Sequence, residues 1–189
     1  MLRNSTSPPG RSRGFTLIEL MVTIAVAAIL VAIAVPGFRN LTVSNALTTA
    51  ANDIVGAMNL ARMEAIKLNA TSQFCGSTAS SNGSDTLGGA CGTSSGAVWM
   101  LQGGATKQVR DAAMGIQGQV QLASAGITAV RFGGQGLGYL ASTASTSTAP
   151  YSGTVAVLCS KMISANNVRK VALATGSIIT VTPSSGSCP

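Results

Sequence analysis

Histidine is absent from this chain, which removes the commonest general base and metal ligand from consideration. No two of its four cysteines stand in a C-x-x-C spacing, so a zinc site or a dithiol redox motif is not encoded. Charged residues are only 9% and aromatics 4%, while Gly, Ser, Thr and Ala abound; the pattern is that of loop-rich exported β-domains rather than cytosolic enzymes. Gly92-Thr93-Ser94-Ser95-Gly96 matches G-x-S-x-G by letter, yet it lies in polar sequence with no histidine to activate Ser94. Gly136-Leu137-Gly138-Tyr139-Leu140-Ala141 imitates a dinucleotide loop, but Ser/Thr/Pro-rich sequence follows where that motif needs its helix. The expectation is a protein without catalytic residues, metal or cofactor.

Against this polar, low-charge background stands one long apolar run, Phe15 to Val35, holding a single charge, Glu19. As a helix it would span roughly 31 Å, enough to cross a hydrocarbon core of roughly 30 Å once. Arg3, Arg11 and Arg13 precede it without any acid, so the positive-inside bias places the N-terminus in the cytoplasm and exports everything after Val35. An ionised side chain within a bilayer costs about 2.5 to 3.5 kcal/mol on insertion scales and is read as having a partner and a task. A cleavable secretory signal accounts for the basic start and for the small residues Ala32-Ile33-Ala34. The apolar run is too long for it, however, and Glu19 is out of place. A plain anchor leaves Glu19 without a purpose, apart from snorkelling to the interface.

The basic leader, Gly14, Phe15, Thr16-Leu17-Ile18 and Glu19 as the fifth residue from Phe15 together resemble the processing site of type IV prepilins and type II secretion pseudopilins. The resemblance implies that a prepilin peptidase cleaves between Gly14 and Phe15, methylates the Phe15 amine and leaves the apolar helix attached. The mature chain would keep 189 minus 14 residues, or 175. In that setting the Glu19 carboxylate pairs with the α-amino group of Phe15 on a neighbouring subunit, since a buried charge is far less costly beside its opposite. A subunit out of register leaves both unmatched. Leu60 to Asn69, and the strand and glycine turn from Ile127 to Gly138, further resemble the GspH and FimT/FimU group of minor pilins and pseudopilins.

Pro36 and Gly37 close the run, and a kink is expected there because proline lacks the donor for its turn. Beyond them Phe38, Leu41, Leu47, Ala50, Ile54, Met58, Ala61, Ala65 and Leu68 recur mostly at spacings of three and four, the signature of a helix with one buried face. Arg62 and Lys67 read as its solvated face, with Glu64 near enough for weak pairing. Residues 71–96 are rich in Ser, Gly, Thr and Asn and read as a long surface loop. Ala97–Gln102, Gln119–Leu122, Ile127–Phe132, Thr154–Ser160, Val168–Ala174 and Ser177–Thr182 read as strands of one antiparallel sheet against the helix, with Ala141–Pro150 a loop between strands. The expected fold class is α+β, which the resemblance implies to be type IV pilin-like, a long N-terminal helix packed on an antiparallel sheet. Its parts are a cleaved leader over 1–14, a transmembrane and assembly helix over 15–35, an amphipathic continuation over 36–70 and a β-rich periplasmic domain over 71–189.

Cys75, Cys91, Cys159 and Cys188 are an even number in a chain argued to reach an oxidising compartment, so two disulfides are expected. Three connectivities are open. Cys75 with Cys91 and Cys159 with Cys188 is favoured, each pair bracketing a separate stretch; loop entropy values them at about 3 and about 3.5 kcal/mol before strain. From Ala112 to Pro189 the chain carries Arg131, Lys161, Arg169 and Lys170 and no acid, a candidate basic face for DNA with Tyr139 and Tyr151 as stacking residues. Some FimT-like minor pilins bind DNA through Gly-Arg-x-Arg between their last two strands. The matching stretch here, Gly176-Ser177-Ile178-Ile179, lacks both arginines, which counts against DNA and leaves solubility as the ordinary role of these charges. The expected role is a structural minor pilin or pseudopilin. It is held in the bacterial inner membrane by a single pass, then assembled with other pilin subunits near the tip of a type IV pilus or type II secretion pseudopilus. The alternative is a DNA-binding minor pilin acting in DNA uptake.

Overall fold

The computed structural model of the chain describes residues 14–92, 94–112, 116, 118–143 and 149–189. The leader as far as Arg13, Thr93 of the G-x-S-x-G match and residues 144–148 of the Ser/Thr tract lie outside the described residues.

Helix α1 runs Leu17–Leu68, 52 residues, and continues through position 36. Two compact units divide it, with the boundary between Arg39 and Asn40. In the first unit every side chain from Phe15 to Val35 is exposed, and the helix is long and apolar enough to cross a membrane. In the second unit Val43, Leu47, Ala50, Ala51, Ile54, Ala57, Met58, Ala61 and Ala65 are all fully buried. Steps of three and four put them on one face. The buried stripe starts later than the spacing suggested, for Phe38 and Leu41 are 70% and 63% exposed. Five of the buried residues are alanines within the core shared with the strands, where small side chains permit close packing.

The helix stops at Asn69, whose φ of 45° is left-handed. Asn69 N–H donates to Ile66 O at 3.3 Å and Ala70 N–H to Ala65 O at 3.0 Å, the paired bonds of a Schellman ending with asparagine in place of glycine. The chain turns directly into β1 (Thr71–Phe74), then two short helices, α2 (Ala79–Asn82) and α3 (Thr86–Cys91). The strands β2 (Val98–Gln102), β3 (Ala105–Arg110), β4 (Gln121–Ile127), β5 (Val130–Phe132), β6 (Gly138–Leu140), β7 (Gly153–Cys159), β8 (Val168–Ala174) and β9 (Ile178–Ser184) follow.

Among the described residues these strands make two antiparallel sheets, one in the order β3-β2-β1-β5-β6 and one in the order β4-β7-β8-β9. The sequence had suggested one. Both sheets contribute to a common core with α1: Phe74, Val98, Val130 and Phe132 from the first, Val155, Leu158, Val171 and Leu173 from the second.

Residues 71–96 are the main departure from the sequence reading, because a surface loop cannot hold the central strand of a sheet. β1 lies between β2 and β5, with Ser72, Gln73 and Phe74 fully buried. Its polar side chains are satisfied from within: Ser72 Oγ donates to Ala61 O at 2.6 Å and Gln73 Nε2 to Asn82 O at 2.9 Å. Asn82, also fully buried, accepts from Gly76 N–H at 2.7 Å and donates to Gly92 O at 3.2 Å. A buried polar group so paired escapes the penalty of an unmade bond. Cys75 is bonded to Cys91 across this segment, and Cys159 to Cys188 joins the end of β7 to the C-terminal tail. Asn167 holds the same tail, donating to Gly186 O at 2.9 Å and accepting from Gly186 N–H at 3.0 Å.

Candidate assembly site

The first site begins at Gly14, three residues before the start of α1 at Leu17. Thr16 stands just before the helix, its Oγ1 accepting from Glu19 N–H at 3.3 Å and its carbonyl from Leu20 N–H at 3.2 Å. Thr16-Leu17-Ile18-Glu19 therefore reads T-x-x-E, the spacing of a capping box, with Glu19 in the first turn. The carboxylate also sits where unpaired N–H groups give the helix its positive end. The T-x-x-E spacing is readable in the sequence itself, beside the isolated charge of the apolar run. Phe15, Leu17 and Ile18 beside it are 72%, 75% and 67% exposed. Thr23 Oγ1, a second polar group in the run, is satisfied within the helix by Leu20 O at 2.8 Å.

The basic residues of the distal domain form a second candidate, and the structure separates them. Arg131 lies on β5, in a different sheet from Arg169 and Lys170 on β8. Arg131 donates from both ends of its guanidinium to Asp85, at 2.5 Å and 2.8 Å, and from Nε to Gln73 Oε1 at 3.0 Å. Asp85 at the same time accepts from Gly88 N–H at 2.9 Å, capping α3. The Arg131 guanidinium, together with that backbone bond, holds the Asp85 carboxyl below the usual carboxylate range, against a smaller opposing effect of burial. Arg169 is buried at 8% exposure; it donates to Asn166 O at 2.8 Å, to Val168 O at 3.0 Å and to Ser44 Oγ on α1 at 3.1 Å. Lys170, its neighbour in the strand, is exposed, as alternation requires. Lys161 is exposed as well. Tyr151 donates its hydroxyl to Thr154 O at 2.9 Å and packs against the core. Burial pushes its phenol above its ordinary value, with a hydrogen bond to Thr128 opposing. Two of the four basic residues and one of the two tyrosines are thus committed to the fold.

Two further arginines fasten α1 to the strands. Arg62 was expected on the solvated face, but its Nη1 donates to Ser177 O at 3.1 Å. Arg110 on β3 forms an ion pair with Asp53 and also donates to Asp53 O at 2.9 Å. Lys67 does take the surface role, 3.6 Å from Glu64. Among the described residues no group of three or more His, Cys, Asp or Glu side chains could hold a metal ion.

Two family comparisons match the chain. The prokaryotic N-terminal methylation motif covers residues 9–35, which contain Gly14, Phe15 and Glu19. The family described as type II transport protein GspH covers residues 50–177, from the buried stripe of α1 to the turn before β9. Comparison with curated proteins and with solved structures gave no match. Members of this family are structural subunits rather than enzymes, built to assemble with other pilin subunits after prepilin-peptidase processing. With its methylation motif, its α+β fold and more than half its length matched, the chain belongs to the GspH family of type IV pilin-like minor pilins and pseudopilins.

Proposed function

We infer that the protein is a filament subunit whose first unit does the assembling and whose second unit is carried by it. A prepilin peptidase cleaves between Gly14 and Phe15 and methylates the new amine. The helix from Phe15 to Val35 holds the subunit in the inner membrane, with residues 71–189 in the periplasm, until it is extracted into a type IV pilus or type II secretion pseudopilus, at or near the tip. Glu19 then sets axial register by pairing with the Phe15 α-amine of a neighbour. The observation that carries this reading is the complete exposure of an apolar segment around one carboxylate. Such a surface is stable only in lipid or among like helices, and among like helices the carboxylate must find a cation.

Mass spectrometry of the exported protein tests the processing step. The expected N-terminus is a methylated Phe15; an unmethylated chain beginning at Val35 would establish a secretory signal instead. DNA binding draws less support, since Arg131 and Arg169 already have partners within the chain.

A further inference from the structure

A sheet edge offers unpaired N–H and C=O groups to any extended chain that meets it, and native proteins protect such edges by charge, bulges, shortness or cover. Among the described residues three of the four sheet edges carry such protection. β3 bears Lys107 and Arg110, and its pairing with β2 slips at Val98/Trp99. β4 has a register shift against β7, and its end is tied to Ser77, whose N–H donates to Ile127 O at 2.9 Å. β6 is three residues long, and its Gly138 donates to Gly176 O and accepts from Tyr151 N–H.

β9 is different. Its sequence, Ile178-Ile179-Thr180-Val181-Thr182-Pro183-Ser184, holds no charge and is β-branched over its first five residues, and it pairs with β8 over all seven without a slip. Pro183 has no N–H, and an edge strand tolerates proline where the N–H side faces outward. By the two-residue alternation the N–H and C=O of Ile179 and Val181 also face outward. At the start of this edge the Ser177 carbonyl is taken by Arg62. Among the described residues no backbone bond outside the β8 ladder involves Ile179 or Val181. Their side chains pack partly on the core, so the strand is anchored at the position where an added strand would pair.

We propose that the outer edge of β9 is a docking site for an extended, β-branched segment of a neighbouring filament subunit, added as a fifth strand through Ile179 and Val181. Charge narrows the partner. Lys170 lies opposite Thr182 and is exposed on the same face. No acid occurs from Ala112 onward. An added strand lies two spacings from β8, about 10 Å, a span that lysine and glutamate side chains bridge. The segment therefore carries a carboxylate on that face. Backbone pairing supplies affinity and the alternating side chains supply choice, as in strand addition generally. That the partner is a filament subunit rests on the assembly reading above; the pairing itself does not.

The test uses the full-length protein in detergent and the acetylated peptide Thr-Val-Glu-Val-Thr-Val-Thr as probe. With peptide, amide exchange in the fragment covering Ile179 and Val181 slows about tenfold or more, while β8 is unchanged. Val181→Pro removes an outward donor and spares the β8 ladder, so peptide affinity falls about tenfold while the domain still unfolds cooperatively, and Lys170→Glu weakens it about threefold. Glu19→Ala binds the peptide as wild type does, so loss of filament entry by that variant separates failure of assembly from failure of docking. Unchanged exchange at Ile179 and Val181 in the wild-type protein would overturn the proposal without recourse to any variant. Protection that appears without peptide and scales with protein concentration would also overturn it, assigning the edge to a second copy of this chain.

Discussion

Helix α1 is one element with two surfaces, and the contrast between them explains the molecule. From Phe15 to Val35 it is apolar around its whole circumference and wholly exposed. From Val43 to Ala65 it is apolar on one stripe, and that stripe is fully buried by two sheets. A stripe needs one partner, which the same chain can provide, whereas an apolar cylinder needs apolar surroundings on every side. Phe38 and Leu41, exposed between these regions, belong to the cylinder by their environment although their spacing continues the stripe.

The largest effect that would sharpen this contrast comes from truncating one side chain in each region. Ile54→Ala is expected to destabilise the domain by about 2 to 5 kcal/mol in chemical unfolding, because Ile54 is fully enclosed. Ile29→Ala, at 63% exposure, should leave domain stability within about 0.5 kcal/mol. Equal losses would mean that the first half of α1 is also packed by its own chain.

Next in size is the polar fastening of the buried half. Arg169→Ala strips donors from Asn166 O, Val168 O and Ser44 Oγ and should cost about 1 to 3 kcal/mol. Amide exchange should quicken in the first turns of the buried half, around Ser44. A loss of DNA affinity with unaltered stability would instead return Arg169 to a surface role.

A smaller effect separates fold from assembly by pH. The Asp85 carboxyl is held low chiefly by Arg131, so its contribution is present above the unfolded carboxylate value of about 3.9 and is lost as pH falls through the lower folded value. With half of the Asp85 side chain exposed, that contribution is about 1 kcal/mol or less. Asp85→Asn should lower the urea midpoint at pH 7, and the gap to wild type should close in acid. A gap that widened in acid would contradict the sign.

Much of this architecture was legible because its signals are local. The stripe of α1 follows from steps of three and four, and β7 and β8 follow from compact β-branched runs. The β2–β3 hairpin is equally legible, although the strand runs read from the sequence omit β3: Gly103 and Gly104, both at positive φ, form the Gly-Gly turn that such hairpins favour. β1 was not legible. Thr71-Ser72-Gln73-Phe74 is polar by letter, and its burial depends on partners at Ala61, Asn82 and Arg131 that only the folded chain brings together. Arg131 and Arg169 were obscured for the same reason, since a charge's partner across a sheet leaves no mark on its neighbours in sequence. Gly14, Phe15 and Glu19 could be read directly because they form a motif of contiguous residues. The further local role of Thr16, whose hydroxyl caps the Glu19 N–H, is open to the same reading.

That cap also dictates how the central claim must be tested. Glu19→Ala removes the charge and the bulk of the side chain together, whereas Glu19→Gln keeps the size and the T-x-x-E/Q spacing and removes only the charge. The decisive measurement is the amount of Glu19→Gln protein in sheared filaments, relative to its amount in the membrane. Charge pairing with a neighbour's Phe15 amine predicts that the variant accumulates in the membrane and falls at least about tenfold in filaments, the loss of about 1.4 kcal/mol or more of assembly free energy. Incorporation at the wild-type level would contradict the account and leave Glu19 as an acidic residue in the first turn of a helix.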